Sequence, residues 1–162
     1  MRVFVEQEAI ITLLDETRAV SVQALADLDL ALVVEPNSGW RGLDVLAHLV
    51  TWEAQTTLAL MALLQAERDQ LPEQTAFTQP IWNVNQPLDA AEAFTYWQQV
   101  RADLLRQIAV LPWNHYHQRI STVGGSLFIG ELAKRLIDHE QYHIRALLAV
   151  AGCPQPFDTV GE

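Results

Sequence analysis

The stretch SLFIGELAKRLIDHEQYHIRALLAVAG, residues 126–152, decides how the rest of the chain is read. It contains no proline, and Leu132, Leu136, His139, His143, Ala146 and Val150 recur at steps of four and three. That is the seam of a helix packed against other helices, not the alternation of a strand. Ser126 is placed to cap its start, and Gly152, followed by Pro154 and Pro156, to stop it near residue 151. The middle of the seam departs from an ordinary bundle helix, because it carries two imidazoles.

Upstream, Ala93, Trp97, Val100, Leu104, Ile108 and Leu111 mark one face of a helix over 88–111, capped by Asp89 and ended before Pro112, with a turn at Ser121 to Gly125. Leu43, Leu46, Val50, Ala54, Met61 and Leu64 give another over 42–68, entered through the breaker Glu35-Pro36-Asn37-Ser38-Gly39. Ile10, Leu14, Thr17, Ser21, Ala24 and Leu28 give the first, over 6–32. Between the second and third, Pro72, Pro80 and Pro87 punctuate a connection longer than compact domains commonly use. The expectation is an all-α four-helix bundle over residues 1–162, one domain without a sheet, with a long connection between helices 2 and 3.

Half of the 162 residues are hydrophobic, enough for a sizeable core without crosslinks. The single cysteine, Cys153, excludes an intrachain disulfide framework and fits a reducing compartment. The N-terminus turns acidic before any apolar run reaches signal-peptide length, and no segment approaches ~20 uncharged apolar residues, so a cytoplasmic protein is expected. Twenty acidic against ten basic residues give a charge of −10, which disfavours nucleic acid and anionic membranes as partners. Leu60 and Leu63, read as exposed on a broad apolar surface of helix two, point to a homodimer.

His139 and His143 lie four residues apart, about 40° around a helix, so both rings can reach one ion. The competing explanation is a pair of half-buried histidines, each hydrogen-bonded to a neighbouring helix. His48 is placed less well. Asp44, His48, Thr51 and Gln55 form a polar strip beside the apolar stripe of helix two, and helical phase alone puts that strip at the surface. If it turns inward, Asp44 can orient the His48 ring.

Two segments carry a resemblance. Trp40-Arg41-Gly42-Leu43-Asp44-Val45-Leu46-Ala47-His48-Leu49-Val50-Thr51-Trp52-Glu53 resembles the second-helix signature of the DinB-like (DinB/YfiT) superfamily of four-helix-bundle metalloproteins, and Asp138-His139-Glu140-Gln141-Tyr142-His143-Ile144-Arg145 resembles its fourth-helix HxxxH motif. Ile81-Trp82-Asn83 before helix three matches in order as well. The resemblance implies that His48, His139 and His143 bind one divalent metal, zinc or nickel. It implies a scaffold and not a reaction, since the superfamily includes thiol-dependent transferases, isomerases and hydrolases. Arg41 departs from it, standing where a capping Ser or Thr often follows the Trp.

The expected function is a metal-dependent enzyme acting on small electrophiles, by transfer of a low-molecular-weight thiol or by hydrolysis, with Glu140 beside the ligand pair as general base. The alternatives are a non-catalytic bundle that sequesters a ligand or metal, and a structural helical module. His139 to His143 also satisfies the HExxH pattern of zinc proteases, but Ala149 stands where the extended motif would place a third histidine. His115 and His117 are read as part of a solvated aromatic loop, Trp52, Trp82, Trp97 and Tyr142 as core or rim aromatics, and Cys153 as no nucleophile.

Overall fold

The computed structural model describes residues 2–65, 89–122 and 125–157. The elements are α1 (Arg2–Leu25), β1 (Val33–Glu35), β2 (Trp40–Arg41), α2 (Gly42–Gln65), α3 (Ala90–Val110), the single turn α4 (Trp113–Tyr116), β3 (Ile120–Thr122), β4 (Gly125–Leu127) and α5 (Ile129–Ala151). The helices α1, α2, α3 and α5 form the four-helix bundle, and residues 66–89 make the long connection between α2 and α3. Pro72, Pro80, Pro87 and Trp82 lie outside the described residues.

Two expected boundaries move, and the absence of a sheet is corrected. The first helix stops at Leu25 rather than near residue 32, because the Asp29 carboxylate accepts the Ala31 N–H at 2.9 Å, which gives the backbone a local alternative to the helix. The chain then pairs Val33 with Arg41 and Glu35 with Trp40 in an antiparallel ribbon. Gly42 lets this connection close onto the start of α2: its N–H donates to Leu32 O at 3.0 Å, and a Cβ there would lie 3.0 Å from Leu30 Cα. The last helix begins at Ile129, not at Ser126, because Ser126 pairs with Ser121 in a second ribbon. The Glu131 carboxylate, instead of a capping serine, accepts the Phe128 N–H at 2.9 Å.

Other local signals act as expected. Asp89 and Glu92 form a reciprocal capping box at the start of α3. Gly152 adopts φ 69°, and the Cys153 N–H reaches back to Leu148 O at 2.9 Å, closing α5 in a left-handed cap.

The interior is two apolar clusters with charge between them. One gathers Leu14, Leu60, Leu104, Ile108, Leu132 and Leu136; the other gathers Leu25, Leu46, Trp97, Ile144 and Leu147. On every bundle helix a charged residue falls in sequence between members of the two clusters: Arg18, Glu53, Arg101 and Glu140, all buried. Leu60 is fully buried, which corrects its reading as an exposed position; the Leu63 side chain lies outside the described residues. The seam of α5 is corrected too. Ala146 and Val150 face outward, while Ile137, Glu140, Ile144, Leu147 and Leu148 face inward. A helix of 3.6 residues per turn drifts away from a strict four-three seam by ~20° per heptad, so His139 and His143 sit on the flank of the buried stripe, half-buried. Among the described residues no helix is long and apolar enough to cross a membrane.

Candidate metal centre

His48 comes from α2 and His139 and His143 from α5, and each presents a ring nitrogen within 4.8 Å of the others. The Nε2 atoms of His48 and His139 are 3.0 Å apart, and the three ring centroids are 4.8 to 5.0 Å from one another. His48 therefore turns inward, against its helical phase. It flanks the buried stripe Val45, Leu46, Leu49 and Val50 on the side that meets α5, and the Trp40 ring lies 5.6 Å from it. His115 and His117 are elsewhere, and not on a plain loop: His115 lies in the helical turn α4, half-buried, with its Nδ1 paired to Gln118 Oε1 at 2.9 Å, and His117 caps that turn and is exposed.

The electrostatics keep the rings neutral. Burial pushes His139 down to about 4, helped by the adjacent His143 and His48. Burial also lowers His48, and lowers His143 together with His48; Glu35 pulls His143 the other way. Neutral imidazole has one donor and one acceptor nitrogen, and three such rings in mutual contact cannot all be satisfied by one another. With one ring nitrogen of each within 4.8 Å of the others, His48, His139 and His143 would hold one divalent ion between α2 and α5. The donors and their spacing fit.

Each histidine also meets an aromatic ring. Trp52 lies against His139 at 4.4 Å with planes inclined by 32°, Trp40 covers His48, and Tyr142, which is largely exposed, meets His143 edge-on at 5.2 Å. Trp97, by contrast, is a core residue. Cys153 is half-buried beyond the end of α5, outside this cluster.

Asp44 does not reach His48 in the manner expected. Its Oδ2 accepts the Arg41 backbone N–H at 2.8 Å and the Arg41 Nε–H at 3.1 Å, so it caps the start of α2. Burial raises the Asp44 carboxyl, but these Arg41 contacts outweigh it and hold the group below its ordinary range. The capping that Arg41 cannot supply thus comes from three residues downstream.

Glu140, expected as general base, is placed differently. It is 2% exposed, and its Oε2 accepts from both Arg18 Nη2 and Arg101 Nη2 at 2.8 Å. Glu53 accepts from the same two guanidiniums, Arg18 at 2.5 Å and Arg101 through its Nε–H. Arg18 also lies over the Trp97 ring at 4.2 Å. Burial pushes Glu140 up, but Arg18 and Arg101 outweigh it and hold the carboxyl below its usual range. A carboxylate engaged in this way is turned into the bundle, which removes the basis for the HExxH protease reading. Sequence reasoning missed Arg18, Glu53 and Arg101, although one signal was present: each is a charged residue flanked at helical spacing by apolar positions, and the four charges cancel.

No family model, curated protein or solved structure matches the chain. The fold and site by themselves define a helical bundle with a clustered histidine triad that can coordinate a metal ion.

Proposed function

We propose that the chain is a divalent-metal-dependent enzyme acting on small electrophilic substrates, by thiol transfer or hydrolysis, with His48, His139 and His143 as the ligands of one zinc or nickel ion. The observation that carries this is the convergence of three neutral imidazoles from two helices. The resemblance of Trp40–Glu53 and Asp138–Arg145 to DinB-like bundles supports it. When bound, such an ion supplies a Lewis acid that makes water or a thiol nucleophilic near neutral pH, and three protein ligands leave a position for it.

The remaining work falls to the chain. The histidines hold their lone pairs ready because burial keeps them neutral. Trp40, Trp52 and Tyr142 restrict the approach to these rings and offer apolar faces to the organic part of a substrate. Glu140 sets the position of α5 through its two arginines. We place the protein in the cytoplasm as a homodimer using a small-molecule thiol or water as co-substrate.

The test is metal analysis of the purified protein after equilibration with Zn²⁺ or Ni²⁺, followed by a panel of electrophiles with and without low-molecular-weight thiols. One ion per chain and multiple turnovers are expected. His48→Ala and His143→Ala should stay folded and lose both. Stoichiometric consumption of electrophile without turnover would replace catalysis by sequestration, and wild-type protein that takes up no ion would end the reading.

A further inference from the structure

The seam of α5 that carries His139 and His143 leaves the core at its C-terminal half. Ala146 and Val150, about one and two turns beyond His143, are exposed, Val150 to 50%. At 100° per residue, positions 139, 143, 146 and 150 lie within about 60° of one another around the axis. An apolar strip therefore leads from the histidines onto the surface, and exposed aromatic rings stand at its head. Trp40, carried by β2, is 37% exposed and lies 5.6 Å from His48; Tyr142, on α5, is 70% exposed and lies 5.2 Å from His143.

The ring planes decide which of these aromatics can receive a ligand. Trp52 is inclined by only 32° to His139 at 4.4 Å and packs on the core cluster of Leu60 and Leu136, so it is a fixed wall. Trp40 and Tyr142 meet their histidines at 57° and 80°, which leaves the faces of both rings uncovered by the imidazoles. They come from different elements, and the two histidines they accompany have centroids 5.0 Å apart. Charge narrows the ligand further. Arg41, beside Trp40, is paired with Asp44 at 3.1 Å, Lys134 with Asp138 at 2.6 Å, and Arg145 lies over the Phe157 ring at 5.6 Å. An anionic group would meet cations that are already engaged, and a cationic group would meet the charge of the ion.

We propose that Trp40 and Tyr142 are the specificity-determining pair of the metal centre, and that its substrate is an uncharged electrophile with a flat aromatic body, received on these two ring faces and extending along Ala146 and Val150. This rests on the three-histidine reading above and names the class of molecule that site takes. A ring pair adds about two- to tenfold in affinity beyond the area it buries, which favours a flat aromatic body over a saturated one of the same size. Large exposed rings beside a site are otherwise an unfavourable use of surface.

The probes are naphthalene-2-carboxamide, its decahydro analogue and naphthalene-2-carboxylate. Each is titrated calorimetrically into the metal-free full chain, with zinc uptake measured on the same preparations and circular dichroism verifying each fold. One carboxamide per chain is expected, bound about tenfold or more tighter than either other probe. Trp40→Leu and Tyr142→Leu should each weaken it about three- to tenfold while taking up zinc like wild type. Tyr96→Leu, which removes a ring 50% exposed on α3, should leave the affinity unchanged. Equal affinity for the decahydro analogue, tighter binding of the carboxylate, or unchanged affinity in Trp40→Leu and Tyr142→Leu would overturn the substrate class while leaving the histidine site intact. A loss with Tyr96→Leu as large as with Tyr142→Leu, or no carboxamide binding by wild type that takes up one zinc ion per chain, would do the same. Wild type that takes up no zinc would instead defeat the metal reading, and the substrate class with it.

Discussion

Replacing Arg101 by methionine tests the charged layer that holds the metal-bearing helix in place. Arg101 is 2% exposed and joins three helices: it donates to Glu53 on α2, to Glu140 on α5 at 2.8 Å, and to the carbonyl of Leu14 on α1. Burial disfavours its charged form, yet Glu53 and Glu140 together raise its pKa above the ordinary value. Methionine fills much of the volume but leaves two buried carboxylates facing Arg18 alone. Removing one partner of a buried pair costs about 3–5 kcal/mol, mostly the penalty of the charge left behind. Against a typical stability of roughly 5–15 kcal/mol that is a large share, and at about 2–4 °C per kcal/mol for this size it corresponds to a drop of roughly 6–20 °C in Tm. The assay is urea unfolding by circular dichroism at pH 7.5, with Arg101→Met, Glu53→Gln and the double variant forming a cycle. The double variant restores charge balance, so it should be less destabilised than the sum of the single variants by more than about 1 kcal/mol. A loss below about 1 kcal/mol for Arg101→Met, or simple additivity, would refute the claim that these four side chains act as one closed network.

Three further outcomes follow from the same geometry. Ni²⁺ or Cu²⁺ should quench tryptophan fluorescence, because Trp52 and Trp40 lie 4.4 and 5.6 Å from ligand rings; a Trp40→Phe/Trp52→Phe protein quenched as fully as wild type would place the ion elsewhere. The metal-free protein should lose stability as pH falls from about 7 toward 4, since His139 is pushed from 6.5 down to about 4 in the folded state while the unfolded chain protonates near 6.5 and so binds more protons in that window. Glu140, held below its ordinary 4.5, adds stability above that pH which is lost as pH drops through its folded value, and a urea midpoint unchanged between pH 7 and 5 would contradict the histidine part of this argument. Asp89→Ala should cost about 1 kcal/mol by removing the capping box of α3, and a variant as stable as wild type would show that the cap contributes nothing to the bundle.

How far the sequence could be read depends on the range over which each signal acts. Asp89 with Glu92, and Gly152 before Pro154, act within one helical turn, and both ends stand where the residues put them. The ribbons were invisible because their strands are two or three residues long, too short for alternation to show, and the first closes onto α2 through a glycine that fits against Leu30. The histidine pair was legible because i,i+4 spacing is a local fact, whereas its assignment to the core seam was not. A four-three count cannot tell a stripe centred on Leu136 and Glu140 from one centred on His139, and the burial of Glu140 can be deduced only by knowing that Arg18, Glu53 and Arg101 arrive from three other helices at the same level. The same limit misplaced Glu140, read as a base at the histidines and found buried against Arg18 and Arg101. Glu140 is next to a ligand in sequence, but consecutive helical residues diverge by about 100° around the axis, so adjacency to His139 argues against a shared direction rather than for one. For a site assembled between helices, spacing within one helix identifies the ligands that helix contributes, and the partner that completes them, here His48 from α2, is found only once the helices are packed.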